Sequence, residues 1–157
     1  MVRLIPMTDD DLQKYLDNAI PGYAADKVKA GSWSETEALE KSRDSYWKLL
    51  PDGVDSKGEY LYRIEDAESG QKVGGIWLNA QVDTPSPSGF IYDIEIEEEF
   101  RGKGYGKQAM LAIEEKAREL GLKSIGLHVF AHNPVAKGLY EKIGYEIKSM
   151  NMTKALD

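Results

Sequence analysis

The sequence predicts an α/β (α+β) fold in one domain, with a mixed central sheet that is antiparallel first and parallel afterwards, flanked by about four helices. Three runs, Glu59 to Ile64, Gln71 to Val82 and Ser88 to Ile96, alternate in the manner of strands and are separated by turn residues, which is typical of an antiparallel meander. After them the chain alternates strand, helix and strand, which implies a parallel crossover. With 157 residues, the chain 1–157 is expected to form a single domain with a sizeable core.

The first part of the chain predicts one strand and two helices. Val2 to Ile5 reads as a short strand, and Thr8 is placed to cap the first helix. The apolar stripe of that helix consists of Leu12, Tyr15, Leu16 and Ala19. We expect Pro21-Gly22 to interrupt the helix, because proline lacks the N–H that a helix interior needs, with a continuation from Tyr23 to Lys29. A capping box, Ser34-Glu35-Thr36-Glu37, predicts the start of the second helix, which ends at Pro51-Asp52-Gly53.

The later part of the chain predicts two further helices between strands. A strand ending at Ile96 leads into a glycine-rich turn and then a helix. The apolar positions of that helix recur near 3.6 residues and are Ala109, Met110, Ile113, Ala117 and Leu120. Strand Lys123 to Phe130, a second helix and strand Tyr145 to Met152 follow, with Gly121 and Gly144 where helix C-caps are expected.

Composition excludes several classes of protein. The net charge of −7 and the pI of about 5.0 argue against general binding to nucleic acid or to an anionic membrane. There is no cysteine, so disulfides, thiolate metal sites and a cysteine nucleophile are excluded. No apolar run approaches 18 residues, and the apolar part of the N-terminus is too short for a signal peptide, so we expect a soluble cytoplasmic protein.

The glycine-rich turn at 101–107 has the composition of an anion site. Backbone N–H groups at a helix N-terminus are unpaired, and the helix dipole adds positive charge. Lys103 and Lys107 add full positive charges beside them. A Walker loop does not fit, because Gln108 follows Gly106-Lys107 and there is no earlier matching glycine. A dinucleotide fingerprint fits Gly104, Gly106 and Ala109 only weakly, because the next strand lacks the required acidic residue.

A third interpretation of the turn is more specific. Arg101-Gly102-Lys103-Gly104-Tyr105-Gly106 resembles the pyrophosphate loop of the GNAT N-acetyltransferase superfamily, which binds acetyl-CoA. Downstream, the stretch from Asn133 through Ala136, Leu139 and Tyr140 to Gly144-Tyr145 is similar to the closing helix and following strand of that superfamily. The two motifs occur in the family's order, and the resemblance covers roughly residues 58 to 154. The chain looks closest to a YycN-type bacterial branch.

The resemblance implies an N-acetyltransferase that moves the acetyl group of acetyl-CoA to a primary amine of a small molecule or peptide by direct attack. The implied cofactor-binding residues are the backbone of Ile94 to Ile96, the loop residues Arg101, Gly102, Lys103, Gly104, Tyr105, Gly106 and Lys107, and Asn133. Tyr140 matches the tyrosine near the coenzyme sulfur and is the expected general acid. A non-catalytic acyl-CoA-binding or interaction module on the same fold is the alternative.

The catalytic base is expected on the strand before the loop. Glu95 is the first candidate, since a carboxylate on a covered strand is costly unless it faces a wet cleft. Asp93, Tyr92 and water are the alternatives, because the family tolerates a bulge here that reverses side-chain facing. His128 and His132 are four residues apart but lack a third ligand, so no metal is expected.

The acceptor wall is expected from the first two helices and neighbouring loops. Its aromatic residues are Trp33, Tyr46 and Trp47, and its acids are Asp52, Asp55 and Asp83. Aromatic rings and carboxylates together suit a cationic amine. The same aromatic residues could instead be core packing or the contact of a homodimer.

Overall fold

The computed structural model describes residues 1–156 as a five-stranded sheet with helices on both faces. The strands are β1 (Val2–Pro6), β2 (Glu59–Asp66), β3 (Lys72–Gln81), β4 (Ser88–Ile96) and β5 (Ser124–Leu127). The helices are α1 (Asp9–Lys29), α2 (Ala38–Leu49), α3 (Tyr105–Glu119) and α4 (Pro134–Lys142). The sheet order is β1-β2-β3-β4-β5, and every pair is antiparallel except β4–β5, which is parallel. The predicted mixed sheet is therefore confirmed.

Two hydrophobic clusters lie on opposite faces of the sheet. The alternation of side chains along β3 separates them, since Ile76 and Leu78 belong to one cluster and Trp77 to the other. Helix α3 covers the first face with Met110 and Ile113, and α1 and α2 cover the second. The buried residues of the second face from these helices include Leu12, Tyr15, Leu16, Ala19 and Tyr46.

Helix α1 runs without interruption through Pro21, so the predicted break is wrong. Thr8 and Asp11 form a capping box at its start, with Asp11 N–H donating to Thr8 Oγ1 at 3.1 Å. Pro21 removes one hydrogen bond, to the carbonyl of Asp17, which is an exposed residue and so remains accessible to water. Buried residues before and after the proline, such as Ile20 and Ala24, pack on the same face and hold the helix in one direction.

Helix α2 begins at Ala38, directly after the predicted capping box. Only half of the box forms: the Ser34 N–H donates to Glu37 Oε1 at 3.2 Å, while Ser34 Oγ lies 3.2 Å from Thr36 Oγ1. The Ser34 hydroxyl therefore bonds to a neighbouring side chain and does not cap α2. Helix α2 is anchored to α1 by Ser42, whose hydroxyl donates to the carbonyl of Ile20 at 2.7 Å.

Strand β4 contains a bulge at Tyr92. Asp93 pairs with Trp77 of β3, but the next pair along is Ile91 with Leu78, so Tyr92 is an extra residue. Without the bulge, Ile91 and Asp93 would face the same side. With it, Ile91 is buried in the cluster under α3, whereas Asp93 faces α1.

The parallel pairing of β4 with β5 ends at Ile91 and Leu127. Strand β5 is consequently shorter than the predicted 123–130, because after Leu127 the two strands separate. Within the described residues, β4 from Asp93 to Ile96 is paired with β3 alone.

The predicted strand Tyr145 to Met152 is wrong for the described residues, which show no strand after α4. Residues 146–156 are exposed to solvent. A strand requires backbone partners on a neighbouring strand, and exposed groups bond to water instead. Alternation of side chains identifies a segment able to form a strand but does not supply that partner.

Candidate active site

A cavity of about 550 Å³ lies at the place where β4 and β5 separate. Helices α1 and α2, strands β3 and β4, the segment after β5 and helix α4 all contribute to its wall. Five of the residues predicted from the sequence line it: Ile94, Glu95, Arg101, Asn133 and Tyr140. The cavity therefore gathers predicted coenzyme and catalytic residues that are up to 46 positions apart in the chain, from 94 to 140.

Two carboxylates of β4 form the acidic part of the wall. Asp93 and Glu95 face α1, and the hydroxyl of Tyr15 donates a hydrogen bond to Asp93 Oδ2. Burial raises the pKa of Asp93 to about 6, although the hydrogen bonds from Tyr15 and the Ile94 N–H act in the opposite direction. Burial also raises the pKa of Glu95, and the nearby charge of Arg101 opposes that increase.

Tyr140 lines the cavity from α4. Burial raises the pKa of its phenol, and the charge of Asp93 raises that pKa further. A charge effect of this kind requires the two groups to share one poorly solvated space. Tyr140 and Asp93 both line the cavity, so the structure places a phenol and a carboxyl in the same wall.

Aromatic rings form the wall near Asp93. The ring centroid of Trp77 lies 4.7 Å from that of Tyr92 and 5.7 Å from that of Tyr46. Glu59 fixes the indole, because Trp77 Nε1 donates to Glu59 Oε2 at 2.8 Å. The wall is therefore rigid as well as aromatic.

The acceptor wall differs from the one expected from the sequence. Of the three predicted aromatic residues only Tyr46 lines the cavity; Trp33 packs edge-on against Tyr23, and Trp47 is 48% exposed. The predicted acids Asp52, Asp55 and Asp83 are not among the lining residues. The acids that line the cavity are Asp26, Asp93 and Glu95. Those three come from α1 and β4, which pack next to each other only in the folded chain.

Residues after β5 close one side of the cavity. His128 and Phe130 line it, and His132 Nε2 lies 3.0 Å from Asp26 Oδ1, so this segment is joined to α1. Asn133 caps α4 by accepting the Ala136 N–H at 3.3 Å, as predicted, and it also lines the cavity. The cap fixes the position of Asn133 beside the cavity.

Apart from Arg101, the glycine-rich turn at 101–107 lies outside the cavity. Gly102 and Gly104 have φ of +77° and +86°, and Gly104 precedes α3 with no side-chain cap on the helix. A Cβ on Gly106 would lie 3.6 Å from Leu139, at ordinary contact distance, so the protein itself leaves space there. The first N–H groups of α3 therefore point outward without a side-chain acceptor.

Tyr105 and Arg101 use their side chains to hold the turn in place. The hydroxyl of Tyr105 donates to Asp66 Oδ2 at 2.5 Å, which lowers the pKa of Asp66 to about 2. Arg101 Nε donates to the carbonyl of Ile96 at 2.8 Å. The side chain of Tyr105 is thus committed to β2, and only its backbone remains for a ligand.

These features suit a long ligand with an anionic end. The unpaired edge of β4 offers backbone groups to an extended arm, and the turn before α3 offers N–H groups to phosphates. Gln108 Oε1, in the first turn of α3, is buried without a hydrogen-bond partner within residues 1–156. Such an orphaned acceptor is consistent with a ligand donor at this point.

Within residues 1–156, no group of three or more His, Asp or Glu side chains has the arrangement of a metal site. No helix in the same residues has the length and apolar character needed to span a membrane.

Sequence reasoning missed Tyr15, Tyr23, Asp26 and Trp77. Tyr15 lies in an apolar stripe and resembles a core residue by pattern alone. Tyr23 and Asp26 are three apart on α1 and thus share a helix face, a signal that could have identified an acidic and aromatic pair. Trp77 gave no local signal, since its contact with Tyr92 depends on strand pairing and on the bulge.

The chain is similar to known acetyltransferases. The model of the acetyltransferase (GNAT) family matches residues 26–145. The uncharacterized N-acetyltransferase YdgE of Bacillus subtilis (strain 168) is 37% identical over 150 residues, which is 96% of this chain and 95% of that protein. YycN, an uncharacterized N-acetyltransferase of the same strain, is 37% identical over 155 residues, or 99% of both chains.

The fold comparison agrees with the sequence comparison. The crystal structure of YycN from Bacillus subtilis superposes with a TM-score of 0.95 over 99% of both chains. The family model spans well over half of the chain, and both relatives match nearly its full length. This chain therefore belongs to the acetyltransferase (GNAT) family and is an acyltransferase enzyme.

Proposed function

We propose that this enzyme transfers the acetyl group of acetyl-CoA to a primary amine by direct attack of the amine on the thioester. The observation that carries the proposal is the cavity itself: a carboxyl and a phenol both line it, beside the unpaired edge of β4. The family uses acetyl-CoA as its co-substrate, and the chain has no cysteine to form an acyl-enzyme.

The donor would be held along β4 and at the start of α3. The backbone of Ile94 to Ile96 would pair with the extended arm, and the N–H groups of the turn, with Lys103 and Lys107, would hold the phosphates. Asn133 would contact the coenzyme from the start of α4. The bound coenzyme supplies the acetyl group as a thioester. A backbone N–H of β4 directed at the thioester oxygen would stabilise the negative charge that develops there.

The acid and base roles are assigned to the phenol and the carboxylates that line the cavity. Tyr140 would protonate the leaving sulfur, a role for which a buried and still protonated phenol is suited. The base would be a carboxylate of β4: Glu95 is the residue favoured by the sequence, and Asp93 faces the same cavity. The raised pKa of both carboxyls brings them nearer to neutral pH, where proton acceptors are effective.

The proposed acceptor is a primary amine that carries positive charge, in a small molecule or a peptide. Asp26, Asp93 and Glu95 supply negative charge to the cavity, and Tyr46 and Tyr92 supply aromatic faces. Aromatic faces and carboxylates both attract ammonium groups.

Two measurements test the proposal. Acetyl-CoA and CoA should raise the melting temperature, whereas NAD and ATP should not, since only a ligand of the native state stabilises it. A panel of cationic, neutral and acidic amines is then assayed by thiol release from acetyl-CoA between pH 6 and 9, and cationic amines should react fastest. Stabilisation by NAD alone would overturn the assignment of the coenzyme. Stabilisation by acetyl-CoA without thiol release for any amine would favour a non-catalytic acyl-CoA-binding module.

A further inference from the structure

We propose that Tyr15 of α1 is a positioning residue for acetyl transfer, whose hydroxyl holds the Asp93 carboxylate at the cavity wall ready to take the proton of the acceptor amine. The inference rests on the proposed function and extends it in two ways. It assigns the base to Asp93 rather than to Glu95, and it gives the first helix a part in the chemistry.

The ring of Tyr15 is fixed by its surroundings. Its side chain is only 5% exposed and belongs to the cluster under α1 and α2. Gly75 of β3 makes room for it, because a Cβ at Gly75 would lie 3.0 Å from Tyr15 Cδ1. A ring held in this way can direct its hydroxyl to one place only.

That place is the Asp93 carboxylate. The Tyr15 hydroxyl donates to Asp93 Oδ2, and the bulge at Tyr92 is what turns Asp93 toward α1. A carboxylate has two oxygens with about four lone-pair sites, so the bond to Oδ2 leaves capacity to accept a proton from an amine. Asp93 lines the cavity, whereas Tyr15 does not, so the phenol acts on the carboxylate from behind.

Five titratable groups on the surrounding elements, Tyr15 included, interact electrostatically with Asp93. They are Tyr15 and Asp26 of α1, Tyr46 of α2, Glu95 of the same strand and Tyr140 of α4. Glu95 and Asp26 raise the pKa of Asp93 by their negative charge, while the Tyr15 hydrogen bond lowers it. Removing the Tyr15 hydroxyl should therefore raise the pKa of Asp93 and leave less of it ionised near neutral pH.

The proton balance of the reaction closes with these residues. The ammonium form of the acceptor gives one proton to Asp93, and its nitrogen then bonds to the acetyl carbon as the carbon–sulfur bond breaks. Tyr140 gives a proton to the sulfur and regains one from the new amide nitrogen. Asp93 releases its proton to solvent, so one ammonium and one thioester give one amide, one thiol and one proton.

The test is the pH profile of kcat/KM for Tyr15→Phe, with the acceptor that reacts best in the panel. We expect its acid-side midpoint to move to higher pH by about half a unit to one unit, because one hydrogen bond to the charged form is lost. The loss of kcat/KM should be larger at pH 6.5 than at pH 9, and KM for acetyl-CoA should change little. Tyr62→Phe removes a phenol that is also buried, with 9% exposure, on the other face of the sheet, and its profile should match the wild type.

Three further results complete the test. Asp93→Asn should abolish the acid-side limb, and the double variant with Tyr15→Phe should lose no more activity than Asp93→Asn alone. An unchanged midpoint in Tyr15→Phe, or loss of the limb in Glu95→Gln but not in Asp93→Asn, would overturn the inference. If Tyr15→Phe does not fold, Asp93→Asn and Glu95→Gln still test the assignment of the base, and loss of the limb in Glu95→Gln alone would overturn the inference. A wild type that releases no thiol with any amine would count against the proposed function instead.

Discussion

Asp93 is the residue whose surroundings most change its chemistry. It sits on a strand between Tyr92 and Ile94, where a sequence pattern with period two would place it on the same face as Ile91. The bulge reverses that facing, and burial then raises its pKa from the ordinary 3.8 to about 6. A group with a raised pKa in the folded state makes stability depend on pH.

The first prediction concerns the stability of Asp93→Asn. Because the folded protein favours the protonated carboxyl, Asp93 contributes stability below about pH 4 that is lost as the pH rises through about 6. A shift of two units at 1.36 kcal/mol per unit corresponds to about 3 kcal/mol. The free energy of unfolding of the wild type should therefore decrease relative to Asp93→Asn by up to that amount between pH 4 and 7, as measured by urea unfolding. A difference that is constant with pH would contradict the raised pKa.

The second prediction concerns the hydroxyl of Tyr140. Tyr140→Phe keeps the ring and removes one hydroxyl, so kcat should fall by about 10²-fold with little change in KM for acetyl-CoA. Tyr145→Phe is the matched control: its ring lies 6.1 Å from that of Tyr140, and its hydroxyl donates to Glu114 at 3.3 Å rather than lining the cavity. Equal kcat in both variants would return Tyr140 to a packing role.

Among the elements, helix α3 is bounded at both ends by glycines, the first of which belongs to the glycine-rich turn. Gly104 has a left-handed conformation at the start of α3, and Gly121 has one directly after its end, with φ of +86° and +80°. A side chain at either position is strained by a similar amount, of order 1–3 kcal/mol. The two glycines differ in that only Gly104 adjoins the proposed phosphate site.

The third prediction uses this pair. Gly104→Val should abolish the rise in melting temperature caused by acetyl-CoA, because a side chain there blocks approach to the α3 N–H groups. Gly121→Val should lower the melting temperature of the free protein similarly while keeping the coenzyme effect. Retention of acetyl-CoA binding in Gly104→Val would place the phosphates elsewhere.

At the scale of the whole molecule, net charge and cavity charge have the same sign. The chain carries −7, and three carboxylates line the cavity beside two cations, Lys27 and Arg101. A negative field of this kind attracts cations to the cavity, and salt screens it over about 10 Å at 0.1 M.

The fourth prediction is therefore a salt dependence. The kcat/KM for a cationic amine should fall several-fold between about 20 mM and 300 mM salt, whereas the value for a neutral amine of similar size should change little. Stopped assays of thiol release at matched pH measure both. An identical salt response for both amines would argue against charge recognition of the acceptor.

Local patterns predicted much of the fold. Strand β4 was predicted with the observed bounds, Ser88–Ile96, and the N-caps Thr8 and Asn133 were identified correctly. Each of these depends on neighbouring residues, so the sequence contains the necessary information. The break at Pro21 was wrong because packing of α1 on the sheet outweighs one lost hydrogen bond.

The motif of the glycine turn and the tyrosine of α4 were recognisable because they are contiguous and because their residue types are dictated by chemistry. They were sufficient to predict the family, and the binding of coenzyme by the turn stays a prediction. The acceptor wall had no such motif. Of the three aromatic residues and three acids predicted for it, only Tyr46 lines the cavity.

The sequence by itself determined the fold class and the family, since short-range rules govern turns, caps and side-chain periodicity. Only the tertiary structure decided which carboxylates face the cavity. The extra residue in β4 reverses the side to which Asp93 points, and the buried Tyr15 of α1 donates a hydrogen bond to it there. The tertiary structure also decided that the segment after α4 forms no strand within the described residues, because a strand depends on a partner that lies far away in the chain.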